Sequence, residues 1–291
     1  MSRHRTAALL VLTSSAVVYS GVVSSLVRQW ASDDNYSHGF LIIPLALYGA
    51  WERRSQLRCA APTPSIAGLL VLSVSLLVFA IGVLAAELFL ARISLVGVVI
   101  GTVLFVWGRE HLRLLAFPIA LLPLMVPLPT LVFNQIAFPL QLLASRVGEA
   151  TIAAAGIPVL REGNILELPN TTLAVAEACS GIRSLISLIT LAVVLAYFTE
   201  RRAMTRAVIV LSAIPIAVLA NAARVAGTGL ASHWFGRAAA EGFFHGFSGW
   251  LMFAVAFAGL LIVQRALRYI SMPRVSGWGH TAAEEKCSPA R

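Results

Sequence analysis

The stretch IAGLLVLSVSLLVFAIGVL, residues Ile66–Leu84, contains no charged side chain. A helix rises 1.5 Å per residue, so this segment is about as long as the roughly 30 Å hydrocarbon core is thick. Seven more apolar segments read the same way: Ala7–Val27, Ser37–Trp51, Glu87–Trp107, Leu112–Val126, Ile182–Phe198, Ala207–Ala226 and Gly246–Val263. The second and fifth are short, and the fifth carries Pro118 and Pro123. The first resembles a signal peptide at its start (Arg3, Arg5), but it is longer than a typical apolar region and lacks a clear cleavage site. It is read as an uncleaved helix. The sequence therefore predicts an all-α polytopic membrane protein with about eight transmembrane helices.

Composition agrees. The 291-residue chain is 58% hydrophobic and only 12% charged, whereas soluble domains carry about 25% charged residues. Mean hydropathy is +0.84. No long polar segment could build a separate soluble domain. The expected organisation is a transmembrane domain over 1–268 and a disordered cytoplasmic tail over 269–291.

The net charge is +9, and all but one of the basic residues are arginine. No nucleic-acid-binding motif accompanies them, so no nucleic-acid partner is expected. The arginines lie in short clusters between apolar runs: Arg3/Arg5, Arg53/Arg54/Arg58, Arg109/Arg113, Arg201/Arg202/Arg206 and Arg265/Arg268/Arg274. Eight crossings place all five clusters on one side, with 15 of the 22 basic residues. The positive-inside bias makes that side cytoplasmic, together with both termini.

The largest outer segment runs from about Pro127 to Ser180. Leu131–Ile152 is apolar but interrupted by Asn134, Gln135, Gln141, Ser145, Arg146 and Glu149, which predicts an outer helix at the membrane interface. Counting it as a span would flip everything after it. Val159–Leu168, with a turn at Glu162-Gly163, reads as a short β-hairpin-like segment, and Pro169-Asn170 as a further turn. The chain then enters Glu177-Ala178-Cys179-Ser180-Gly181.

There are three cysteines, with no CxxC or Cys/His metal spacing, so neither a disulfide framework nor a metal or other cofactor is expected. Cys179 sits at the outer start of the sixth span, where the positive end of a helix stabilises a thiolate. Arg183, four residues on, would share its helix face and add positive charge. Taken alone, Cys179 also fits a buried inert thiol. Arg224 falls at the outer end of the seventh span, in Asn221-Ala222-Ala223-Arg224. An arginine there is either functional or snorkelling to the interface. Asn221 could orient its guanidinium or bond substrate. His245 opens the eighth span, either as a proton carrier or as an interfacial polar group.

The orientation puts a thiol, a guanidinium and an imidazole at the outer ends of three consecutive spans. Those are the nucleophile, oxyanion stabiliser and general acid/base that acyl transfer needs. Cys59 and Cys287 fall on the cytoplasmic side. His38 and His233 face outward and compete for the base role. Asp33, Asp34, Tyr36 and His38 form a polar knot that either lines a substrate entrance or is a solvated loop. Gly246-Phe247-Ser248-Gly249 has the form found around the serine of rhomboid-type proteases, but small residues in a span more often serve helix packing. A serine protease using Ser248 and a non-catalytic transporter subunit are the competing readings.

Four stretches carry a family resemblance: Tyr36-Ser37-His38-Gly39, Glu177-Ala178-Cys179-Ser180-Gly181-Ile182-Arg183-Ser184, Asn221-Ala222-Ala223-Arg224, and His245-Gly246-Phe247-Ser248-Gly249-Trp250. In this order they resemble the exosortases, multi-pass sorting enzymes of Gram-negative bacteria. The resemblance implies a catalytic set of Cys179, Arg224 and His245. It implies inner-membrane exported-protein substrates bearing a C-terminal Pro-Glu-Pro motif, one membrane helix and a basic tail, cleaved at the periplasmic face. It also implies a link to exopolysaccharide production. The acceptor nucleophile is not legible in the sequence.

Overall fold

The computed structural model describes residues 3–169, 171–175, 181–236 and 243–271, with backbone alone at 3–12, 171, 174, 243–246 and 271. The described chain is mostly helical and divides at Pro129 into two compact units. Among the described residues, five helices are long and apolar enough to cross a membrane: Ala67–Leu84, Leu88–Val106, Ile182–Thr199, Ala203–Phe235 and the Phe247–Ile270 part of the last helix. Ala116–Met125 followed by Thr130–Ala154 adds a sixth only if the two count as one broken span.

The first unit contains α1 (Arg3–Ser32), α2 (Gly39–Glu52), α3 (Arg54–Cys59), α4 (Ala67–Leu84), α5 (Leu88–Val106), α6 (Arg109–Leu114) and α7 (Ala116–Leu121), then a 3₁₀ turn, Leu122–Met125. Helices α4 and α5 form a tight hairpin. A Cβ at Gly101 would lie 2.8 Å from Leu72 Cγ, and one at Gly82 would lie 2.5 Å from the Ala91 nitrogen. Small residues let two backbones approach closely where hydrophobicity alone cannot drive association.

The predicted Leu112–Val126 span is not one helix; it is split among α6, α7 and the 3₁₀ turn. Proline supplies no N–H and clashes with the preceding turn, so Pro118 sits in the first turn of α7 and Pro123 in the 3₁₀ segment. Nor is α2, at 14 residues, long enough to count among the five.

The Asp33–His38 turn is anchored rather than loose. Trp30 Nε1 donates to the Met125 carbonyl at 2.9 Å, and His38 Nε2 donates to that of Leu124 at 3.1 Å. Burial pushes the Tyr36 phenol above its usual range, opposed by a backbone hydrogen bond at Leu128. Cys59 is disulfide-bonded, which the expectation of no disulfide framework did not anticipate.

The second unit contains α8 (Thr130–Ala154), β1 (Leu160–Glu162), β2 (Ile165–Leu168), β3 (Thr171–Ala174), α9 (Ile182–Thr199), α10 (Ala203–Phe235) and α11 (Phe243–Ser271). The strands form an antiparallel sheet in the order β1-β2-β3, so the segment expected as a two-stranded hairpin has a third strand. Helix α8 carries one buried stripe: Phe133, Ala137, Gln141, Ala144, Ser145, Gly148 and Ile152. Gln141 and Ser145, read as polar interruptions of an interfacial helix, lie inside this unit, with Ser145 Oγ donating to the Gln141 carbonyl at 2.8 Å.

Two cores hold the unit together. Ala144, Ile152, Ile157, Leu166, Leu168, Val175 and Val225 join α8, the sheet and α10. Leu188, Ala192 and Ala196 of α9 pack with Ile209, Ala213 and Ala217 of α10 and with Ala256 and Leu260 of α11. At the far end, Glu200 joins the three helices. Its carbonyl accepts from Arg206 Nε at 2.8 Å, and its Oε1 accepts from Gln264 Nε2 at 3.0 Å.

Candidate active site

Helix α10 organises the site. It starts directly after Arg201-Arg202 and runs 33 residues. Arg224 lies 21 residues from the Ala203 start, a rise of about 31 Å, which matches the hydrocarbon thickness. Ala217, Asn221 and Arg224 fall at i, i+4 and i+7, on one helix face. Asn221 is 6% exposed and Arg224 9% exposed, so both polar groups are turned inward.

What they turn toward are two glycines. A Cβ built on Gly181 would lie 2.6 Å from Asn221 Cγ and 2.9 Å from its Nδ2. A Cβ built on Gly249 would lie 3.4 Å from Arg224 Nη1. Gly181 is the N-cap of α9, with φ +79°, and Gly249 lies in the second turn of α11. Gly181, Asn221, Arg224 and Gly249 therefore lie together at one end of the α9–α10–α11 packing, opposite Glu200. A narrow crevice between α8, α9 and α10 opens beside these contacts, lined by Leu140, Ala144, Gly181, Leu185, Ala217 and Asn221.

The chain entering this end is held from the other side. Val175 N–H donates to the Asn164 carbonyl at 2.8 Å, and Asn164 Nδ2 donates to the Val175 carbonyl at 3.1 Å. Val175 is 1% exposed. Cys179 itself lies outside the described residues, between Val175 and Gly181. His245 is placed as backbone only, in the first turn of α11.

Arg183 lies within α9. Helix α9 begins at Ile182, and the left-handed backbone of Gly181 turns the chain there. Arg183 is thus in the first turn of α9, directly after that left-handed break. His233 lies nine residues beyond Arg224 on α10, a rise of about 13 Å and half a revolution away. His38 belongs to the first unit, where it bonds Leu124. Among the described residues no group of His, Cys, Asp and Glu could hold a metal ion.

Asn221, read as orienting the Arg224 guanidinium or bonding substrate, also packs its side chain on Gly181. The glycine contacts and the Asn164 clasp were not foreseen. The glycines were visible within their motifs, but nothing local distinguishes Asn164 from any other turn asparagine.

No curated protein matches the chain, and no solved structure does. The model of one family, described as transmembrane exosortase (Exosortase_EpsH), matches residues 30–262. That match takes in every motif assembled above, and the chain belongs to the transmembrane exosortase family.

Proposed function

We propose that this membrane protein is a cysteine transpeptidase or protease that removes C-terminal sorting signals from exported proteins. Cys179 is the nucleophile, Arg224 the oxyanion stabiliser and His245 the general acid/base. One observation carries the reading: Gly181 against Asn221 and Gly249 against Arg224 bring three separate motifs to one end of α10. Two residues of chain span at most about 7 Å, so the Cys179 backbone cannot be farther than that from Gly181. His245 is one helical turn from Gly249, about 6 Å.

The chemistry follows from these groups. The start of α9 presents the positive end of a helix dipole, which favours a Cys179 thiolate. The thiolate attacks the carbonyl carbon at the sorting motif, and the electron pair moves to oxygen. Arg224 donates to that oxyanion. His245, protonated, gives its proton to the departing amine as the C–N bond breaks, which leaves a thioester on Cys179. An amine, hydroxyl or water then attacks the thioester and passes its proton to His245.

The substrates are membrane-anchored proteins ending in a Pro-Glu-Pro motif, a membrane helix and a basic tail. The site faces the periplasm from the inner membrane, with both termini cytoplasmic. Co-expression with a reporter carrying such a C-terminus tests this. Loss of the reporter's terminal helix is expected with the parental protein and not with Cys179→Ala, Arg224→Ala or His245→Ala. Normal processing by Cys179→Ala would end the nucleophile assignment.

A further inference from the structure

Strand β3 leads toward Cys179, and among the described residues no strand pairs with its outer edge. Its register with β2 matches Leu166 with Leu173 and Leu168 with Thr171. The Val175 N–H bonds directly across to Asn164, its register partner. Narrow hydrogen-bonded pairs alternate along an antiparallel ladder. Residues 173 and 171 therefore bond inward to β2, and the backbone N–H and C=O of Thr172 and Ala174 point away from it. No further strand follows β3 in the sheet among the described residues.

The two sheet edges differ. β1 has three residues, two of them charged, and its Arg161 is tied to Glu149 of α8 at 2.8 Å. Proteins protect edges in this way, with short strands and charge. β3 reads Thr-Thr-Leu-Ala, with neither charge nor proline. Leu173 turns inward against the core that contains Leu166, and Thr172 is exposed. Five residues past Ala174 comes Cys179.

We propose that the edge of β3 is the substrate-docking surface: the extended segment flanking the scissile bond adds to it as a fourth strand. This rests on the functional reading above and extends it to how substrate is held. Continuity argues for that occupant, because a peptide paired with Thr172 and Ala174 lies along the strand that delivers the nucleophile. Strand addition draws affinity from main-chain hydrogen bonds and leaves specificity to side-chain pockets. The enzyme would accordingly tolerate varied sequence beside its signal motif.

Thr172→Pro tests the proposal. Proline is accepted on an edge strand where the N–H points outward, so the β2–β3 ladder is kept while one outward donor is lost. KM for the reporter should rise about tenfold, the effect of one lost hydrogen bond, with kcat held. Thr172→Ala, which keeps the N–H, should lose less. A parental KM in Thr172→Pro, or equal losses in the two variants, would overturn the proposal. A photo-crosslinking residue at position 172 in the Cys179→Ala protein gives a second readout that needs no turnover. Crosslinks to reporter residues flanking the scissile bond are expected; crosslinks only to the membrane helix, or none, overturn it. Failure of the parental protein to process the reporter would instead count against the functional reading, and the crosslink would still decide the docking.

Discussion

Gly249→Val should silence the enzyme, while Gly249→Ala leaves it working. An alanine Cβ at this position would sit 3.4 Å from Arg224 Nη1, an ordinary van der Waals separation. Valine adds two γ-carbons about 1.5 Å farther out, and the guanidinium must move by about an ångström to admit them. Oxyanion donors work within 2.7–3.1 Å of the developing charge, and loss of one costs about 10²–10³ in kcat. Gly249→Val is therefore expected to fall by about that factor and Gly249→Ala by less than about threefold. Because both changes act through one guanidinium, Gly249→Val should add little in an Arg224→Ala background. The assay is a time course of reporter cleavage by purified enzyme in detergent or liposomes. The rate of Cys179 alkylation by iodoacetamide serves as the check on folding. A Gly249→Val enzyme at the parental rate, a Gly249→Ala enzyme as slow as Arg224→Ala, or multiplicative losses in the double variant would each refute the packing argument.

Gly181→Ala should be worse than its one added methyl suggests. It places a Cβ on a residue with φ +79°, which costs about 1–2 kcal/mol, and drives that Cβ against Asn221. Loss of reporter processing with normal membrane insertion is expected; full activity would show that Asn221 does not pack as described. A nucleophilic Cys179 must also be a free thiol, although Cys59 is disulfide-bonded. Non-reducing peptide mapping should find Cys59 joined to a residue other than Cys179, and an impermeant maleimide should modify Cys179 in intact cells. A Cys59–Cys179 bridge would remove the nucleophile.

Helical membrane architecture was legible in the sequence because it depends on local quantities. An uncharged run such as Ile66–Leu84 must become a helix in hydrocarbon whatever surrounds it. The motifs around Cys179, Arg224 and His245 were legible for a similar reason: each is a short run of chemically distinctive residues. Where local signals conflict, the sequence fell short. Pro118 and Pro123 lie in an apolar stretch that composition counts as a span, and the backbone breaks there instead. Gln141 and Ser145 look like a polar face until α8 is packed and they prove to be inside. Only the tertiary structure decided that Gly181 receives Asn221, that Gly249 receives Arg224 and that Asn164 clasps Val175. Each is a contact between residues at least 11 apart in the chain, at least one of them small or polar enough to be unremarkable alone. A glycine says that space is needed, and the partner that fills the space is set by which helices pack together.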